Sequence, residues 1–209
     1  MADMSLLQKI LAVLFPPRTT EQATMHTTED EFLALASPTV LEGTEVVSLL
    51  PYRHETVSAC IREAKFHTNE RAVRLLARTL EEFLLEWSAT YMKPVQLVLV
   101  PIPLSEKRSR ARGYNQVERV CARAIRTLES LSCRTDVLIR TKDTAPQTTL
   151  HRKERLSNMQ GAFAAKNVLE HETYIVVDDV VTTGATLADA KRALLQAGAR
   201  RVLCIALSH

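Results

Sequence analysis

The stretch TYIVVDDVVTTGATLADAKRALLQAG, residues 173–198, decides the fold. Tyr174-Ile175-Val176-Val177 is a short apolar run rich in β-branched residues, the pattern of a buried strand. Asp178 and Asp179 follow, then Val180-Val181 and the loop Thr182-Thr183-Gly184-Ala185-Thr186. From Leu187 the apolar spacing turns helical, with Leu187, Ala190, Leu194 and Ala197 on one face. Gly198 stands where a helix commonly ends in a left-handed residue. Two carboxylates therefore lie at the carboxyl end of a strand, and a Thr/Gly loop leads from them into a helix N-terminus.

In open α/β sheets this is where ligands bind. The loop offers backbone N–H groups, hydroxyls and a helix dipole to a phosphate, and Gly184 removes the Cβ that would hold an anion away. Asp178 and Asp179 suit the opposite chemistry, accepting hydrogen bonds from a diol or facing a hydrated Mg²⁺. Phosphate on one side and hydroxyls on the other describe a ribose 5-phosphate. The plainer reading is an ordinary strand-to-helix turn with threonine caps. A lone Thr-Gly-Thr turn fits that reading, but the full string does not.

The flanking sequence repeats the alternation of strand and helix. Residues 45–52 read as a strand and 54–66 as a helix. Asn69 is placed to cap a further helix with Val73, Leu76, Leu80, Phe83 or Leu84, and Trp87 inward, which puts Trp87 in the core rather than on a base-stacking surface. Val95 to Val100 is a strand buried on both faces. After Pro101-Ile102-Pro103-Leu104-Ser105 comes the basic run 106–116, then a helix with Val117, Val120, Cys121, Ala124, Ile125 and Leu128 inward. Cations just past a strand end suit a pyrophosphate. A solvated helix start, or a patch meeting nucleic-acid phosphates, is the rival reading, and Lys107 and Arg110 stay open between them. Val137 to Arg140 reads as a short strand and Val202 to Leu207 as a closing one. Residues 141–160 form a long polar stretch without periodicity, a length that usually marks function in a compact domain. The alternation argues an α/β fold with a mainly parallel central sheet flanked by helices.

Three strings carry a resemblance: Asp178 to Thr186; Pro101-Ile102-Pro103-Leu104-Ser105 followed by Arg112-Gly113-Tyr114-Asn115-Gln116; and Arg140, Gln147, Leu150, Arg155 and Asn158 leading to Gly161-Ala162-Phe163. Together they resemble the ComF branch of the type I phosphoribosyltransferase superfamily, from about residue 46 to the end. The resemblance implies binding of 5-phosphoribosyl 1-pyrophosphate (PRPP) with Mg²⁺ carried by that ligand and no direct protein site for a metal. It implies that Asp178 and Asp179 meet the ribose hydroxyls as the catalytic pair, and that Thr182, Thr183, Gly184, Ala185 and Thr186 cradle the 5-phosphate. Arg108, Arg112, Asn115, Gln116 and Lys65 fall on the pyrophosphate side, although for Lys65 a solvated helix-end charge is an equal alternative. Arg140, Gln147, Arg155 and Asn158 belong to a flexible hood loop that covers the substrate. Many ComF-like proteins carry a four-cysteine zinc module after an LFPP-type segment. Here Leu14-Phe15-Pro16-Pro17 is followed by no cysteine until Cys60 and His26 stands alone, so no zinc site is expected.

At 209 residues with a net charge of +3, the chain fits one domain and is too mildly basic to read as a nucleic-acid binder on charge alone. The four cysteines form no CxxC pair, and three of them sit within apolar helix or strand patterns, so buried free thiols in a reducing, cytoplasmic setting are expected. No apolar run reaches the roughly 18 residues of a membrane span. Residues 4–15 read as an amphipathic helix, a candidate homo-oligomer interface, and 18–31 as a polar linker. The expected division is 1–44, helix and linker, and 45–209, a phosphoribosyltransferase-like domain. GxGxxG and P-loop patterns are absent. The expected function is phosphoribosyl transfer to an unknown acceptor or PRPP sensing. The alternative that the ComF resemblance implies is a non-catalytic accessory of DNA uptake and natural competence that binds single-stranded DNA; aromatics at 5% are few for a stacking platform.

Overall fold

A computed structural model of the chain describes residues 18–91, 96–142 and 161–209. The first half holds helices α1 (Thr19–His26) and α2 (Glu29–Leu33), strands β1 (Thr39–Val40) and β2 (Val46–Leu50), helices α3 (Glu55–Phe66) and α4 (Glu70–Tyr91), and strand β3 (Leu97–Pro101). Helices α5 (Glu106–Arg112) and α6 (Gln116–Ala124) follow, with strands β4 (Leu131–Cys133), β5 (Leu138–Arg140), β6 (Phe163–Ala165) and β7 (Thr173–Val180). Helix α7 (Ala185–Gln196) and strand β8 (Arg201–Ser208) close the chain.

The long apolar strands alternate between two cores. Leu97, Leu99, Ile175 and Val177 enter one, while Val98, Val100, Tyr174 and Val176 enter the other. A strand buried on both faces belongs in the middle of a covered sheet. The sheet order is β1-β2-β8-β7-β3-β4, and only the β1–β2 pair is antiparallel. The expected α/β architecture with a mainly parallel sheet is therefore present. Helices α3, α4 and α6 cover one face; α7 and the β5–β6 hairpin cover the other.

Local chemistry sets the helix ends. Asn69 Oδ1 accepts from the Arg71 and Ala72 amides at 3.0 and 3.2 Å, capping α4 as its position predicts. Leu80 and Leu84 on that helix are fully buried, each contributing about 1.5–3 kcal/mol. Trp87 packs at the edge of the same core. Helix α7 ends as its glycine predicts: Gly198 has φ +104°, its amide donates to Leu195, and the Ala199 amide donates to Leu194, a Schellman motif. Ala197 is exposed, and Ala193 takes the buried position instead.

One further expectation is corrected. The polar stretch 18–31, read as a linker, contributes two helices. Thr28 Oγ1 accepts from the Glu31 amide, and Glu31 returns a bond to the Thr28 amide, the capping box that Thr-x-x-Glu spells. Arg71 ties α1 down by donating to the Thr24 and Thr27 carbonyls at 2.8 and 2.7 Å. The strand expected at 137–140 is present as β5, outside the central sheet, and pairs antiparallel with β6, Arg140 opposite Phe163. The basic run folds in part as α5, with Ser105 at its N-cap and Gly113 at φ +75° turning the chain into α6. The expected helix at 4–15 lies outside the described residues. Among the described residues no helix is long and apolar enough to cross a membrane.

Candidate functional site

Parallel strands deliver their carboxyl ends to one edge, and a cleft of about 420 Å³ opens there. Strand β7 brings Asp178 and Asp179 to its lining, and Thr182 and Thr186, just beyond the strand in sequence, line it too. Ile102, Pro103 and Leu104 come from the end of β3. Tyr52 follows β2 and His209 follows β8, on the far side of β7 from β3. Helices supply the charge: Lys65 from α3, Arg108 and Arg112 from α5, and Gln116 from the first turn of α6. Arg140 reaches the cleft from β5.

One hydrogen-bonded chain runs through this wall. Lys65 Nζ lies 2.8 Å from Asp179 Oδ2. Gln116 donates to that same oxygen and accepts from Arg112 Nη1 at 3.1 Å. Arg112 also lies over the Phe66 ring, 5.0 Å from its centroid. Tyr114 fixes the end of α3, donating to the Ala64 carbonyl and accepting from the Thr68 amide, both at 3.0 Å. Beneath it, buried Glu63 accepts from Arg18, Thr20 and Asn69. Lys65 is thus seated between two fixed points rather than waving at a helix end.

The two aspartates differ in their surroundings. Asp178 Oδ1 accepts from the Asp179 amide at 2.8 Å. Burial, and then the charge of Asp179, push the Asp178 carboxyl up to about 7, while Lys65 and Arg140 pull the other way. Like charges and desolvation both disfavour ionisation, so this carboxyl is poised to respond to an arriving cation. Arg112 is lowered, first by burial, with Arg108 acting in the same direction and Asp179 against it.

The loop after β7 makes a second, smaller hollow lined by Asp178, Thr182, Gly184, Ala185 and Thr186. Gly184 is the N-cap of α7 with φ +75°, a conformation that glycine adopts without strain. A Cβ there would also meet Thr44 Cγ2 at 3.2 Å. Thr183 Oγ1 accepts from the Ala185 amide at 3.4 Å, so this hydroxyl shapes the turn.

Residues 120–208 match the family described as Phosphoribosyl transferase domain. The chain is 30% identical over 151 residues to competence protein F of Haemophilus influenzae, covering 71% of this chain and 66% of that protein. It is 32% identical over 148 residues to the DNA utilization protein YhgH of Escherichia coli K12, covering 70% of this chain and 64% of that one. The chain belongs to the ComF-type phosphoribosyltransferase-like proteins. Its matches thus span slightly less than two thirds of these relatives' own lengths. Among solved structures it is similar to a hypoxanthine phosphoribosyltransferase from Staphylococcus aureus, with 12% identity, TM-score 0.40, and coverage of 64% of this chain and 61% of that chain.

In this ComF-type chain the fold brings most of the residues singled out above to one place. Asp178, Asp179, Thr182, Thr186, Arg108, Arg112, Gln116, Lys65 and Arg140 share the cleft. Asn115 does not line it. Its Oδ1 caps α6 by accepting from the Val117 amide at 3.0 Å, and its Nδ2 donates to the Ile102 carbonyl at 3.0 Å, so it fixes the turn that presents Gln116. Arg140, expected on a covering loop, forms part of the wall. Gln147, Arg155 and Asn158 lie outside the described residues. His209 was not signalled by the sequence at all: the β7–β8 register, Val180 opposite Ser208, is what brings it to the cleft. The Thr182–Thr186 loop could be read because its parts are contiguous.

Proposed function

We propose that this ComF-type chain binds PRPP, or a closely related ribose 5-phosphate compound, and transfers its phosphoribosyl group to a nitrogen nucleophile. The observation that carries this reading is the set of groups that one cleft gathers: Thr182 and Thr186 from the loop at a helix N-terminus, a carboxylate pair, and Arg108, Arg112 and Arg140. A 5-phosphate fits the first, a ribose diol the second and a pyrophosphate the third. The donor chemistry also suits Mg²⁺, because hard carboxylate oxygens favour it and Asp178, crowded by Asp179, gains from a nearby cation. Asp178 and Asp179 are the residues beside which the metal would stand. When bound, Mg²⁺ neutralises charge on the pyrophosphate.

The chain's own residues account for the remaining work. The Thr182–Thr186 turn holds the 5-phosphate end. Asp179, kept in place by Lys65 and Gln116, stabilises positive charge that develops on the sugar as the C1–oxygen bond breaks, a preorganised electrostatic effect. Arg108, Arg112 and Arg140 stabilise the departing pyrophosphate. The test compares ligands by competition: PRPP should outcompete ribose 5-phosphate at least tenfold, and Arg112→Ala should erase most of that gap. Equal affinity for both ligands would remove the pyrophosphate half of the reading.

A second reading concerns nucleic acid, in line with the names of the competence and DNA-utilization relatives. It rests on Lys107 and Arg110, which are exposed on α5 and line a shallow hollow outside the cleft. Arg110 is paired with Glu106 at 2.7 Å, which tempers that patch. Because Arg108 faces the cleft, Lys107→Ala with Arg110→Ala is the discriminating variant. Loss of salt-dependent binding to a single-stranded oligonucleotide, with PRPP affinity intact, would favour this role.

A further inference from the structure

A buried carboxylate outside the cleft ties two of its walls together. Asp189 sits on α7, the helix that opens at the Gly184 turn, and its side chain is 5% exposed. It receives the amides of three consecutive residues: Gly161 at 2.9 Å, Ala162 at 2.8 Å and Phe163 at 3.1 Å. Arg192, one helical turn on, donates to the same carboxylate at 2.9 Å. A buried carboxylate that accepts several N–H groups is strongly oriented, and its partners are strongly oriented in return.

The receiving segment leads directly to the cleft. Phe163 pairs with Arg140 across the β5–β6 ladder, and the Arg140 guanidinium lies 5.4 Å from the Phe163 ring centroid. Thr141 closes the hairpin base, its amide donating to the Ala162 carbonyl at 2.8 Å and its hydroxyl to that of Gly161 at 3.1 Å. The connection therefore runs from α7 through Asp189 to the 161–163 turn, to Phe163, and to Arg140 in the wall.

We propose that Asp189 is a positioning residue: it fixes the 161–163 turn to the phosphate-loop helix and thereby sets where Arg140 stands against the pyrophosphate end of the ligand. This rests on the PRPP reading above. It makes the two ends of the cleft one rigid body, so that a ligand seated by its 5-phosphate finds Arg140 already in place.

The test is a double-mutant cycle on the full chain, read by titration with PRPP and with ribose 5-phosphate. Asp189→Asn keeps the shape but lacks the second carboxylate oxygen, so one or more of the three amides loses its partner. We expect PRPP affinity to fall about tenfold, the effect of one charge-assisted contact, while ribose 5-phosphate affinity stays within about twofold. Asp189→Asn combined with Arg140→Ala should bind PRPP no more weakly than Arg140→Ala alone. Amide hydrogen exchange at 161–163 should quicken in Asp189→Asn. Phe163→Leu, which retains the carboxylate clamp and most of the buried volume, should reproduce the selective loss of PRPP if Asp189→Asn fails to fold. Additive effects in the cycle, or equal losses for both ligands, overturn the proposal while leaving the PRPP reading intact. If the unaltered protein binds neither ligand, the PRPP reading falls and this inference falls with it.

Discussion

Lys65 Nζ lies 2.8 Å from Asp179 Oδ2, and Gln116 donates to the same oxygen. The second acidic residue of the signature is thus held by two helices that lie far from it in sequence. Losing one partner of a buried pair leaves the other desolvated and unpaired. Lys65→Met should lower unfolding stability by about 1–3 kcal/mol, short of the cost of a fully buried pair, because the Lys65 side chain is 23% exposed. Denaturant unfolding near pH 8 checks this, and an unchanged midpoint would mean that the pair carries no net stability.

Asp178 predicts a pH dependence of the opposite sign to the usual carboxylate. Its folded-state value, raised to about 7 from 3.8, means that the folded protein holds this proton after the unfolded chain has released it. Its contribution to stability is therefore fully present below the unfolded value and declines as pH rises from about 4 to about 7. Asp178→Asn should remove that decline, leaving the variant more stable than the parent at pH 8 yet unable to bind PRPP tightly. Thermal unfolding at pH 5 and pH 8 separates the two proteins; parallel pH profiles would contradict the assignment.

Glu63 predicts the ordinary sign. Burial raises its pKa, but the hydrogen bonds from Arg18, Thr20 and Asn69 outweigh that and bring it to about 2. Its stabilisation is present above the unfolded value of 4.5 and is lost as pH falls towards 2. Glu63→Gln should cost about 2–3 kcal/mol at pH 7, with the difference shrinking in acid. A difference that stays constant from pH 7 to pH 3 would show that shape, not charge, is what Glu63 provides.

Gly184→Ala combines two penalties, a positive φ and a Cβ pressed to 3.2 Å from Thr44 Cγ2. A non-glycine residue in that region costs about 1–2 kcal/mol, before Thr44 gives way. We expect a lower melting temperature and weaker binding of ribose 5-phosphate, read by calorimetry. Full retention of both would mean that the turn relaxes freely.

How much could be read in advance follows from what is local. The Asp178–Thr186 stretch is strand, turn and helix in one run, so its geometry was legible from spacing alone. So was the sheet, because Leu97–Val100 and Tyr174–Val177 are apolar on both faces. Asn115 was misjudged because asparagine before a helix is equally a cap, and the cap uses its side chain. Glu63 and Asp189 look like surface charges within amphipathic helices. Only the packing of α1 on α3 and of the hairpin on α7 buries them, and no local pattern reports that. His209 reaches the cleft through a strand pairing between segments that the sequence showed separately.

The most direct test is calorimetric titration of PRPP into the full chain with and without Mg²⁺, repeated with Asp179→Asn. The account predicts saturable binding that strengthens with Mg²⁺, and a loss of about 30- to 150-fold in the variant, the scale of a charge-assisted contact worth about 2–3 kcal/mol. Absence of binding up to millimolar PRPP, or identical isotherms for the two proteins, would contradict the central claim that this cleft is built for a phosphoribosyl pyrophosphate.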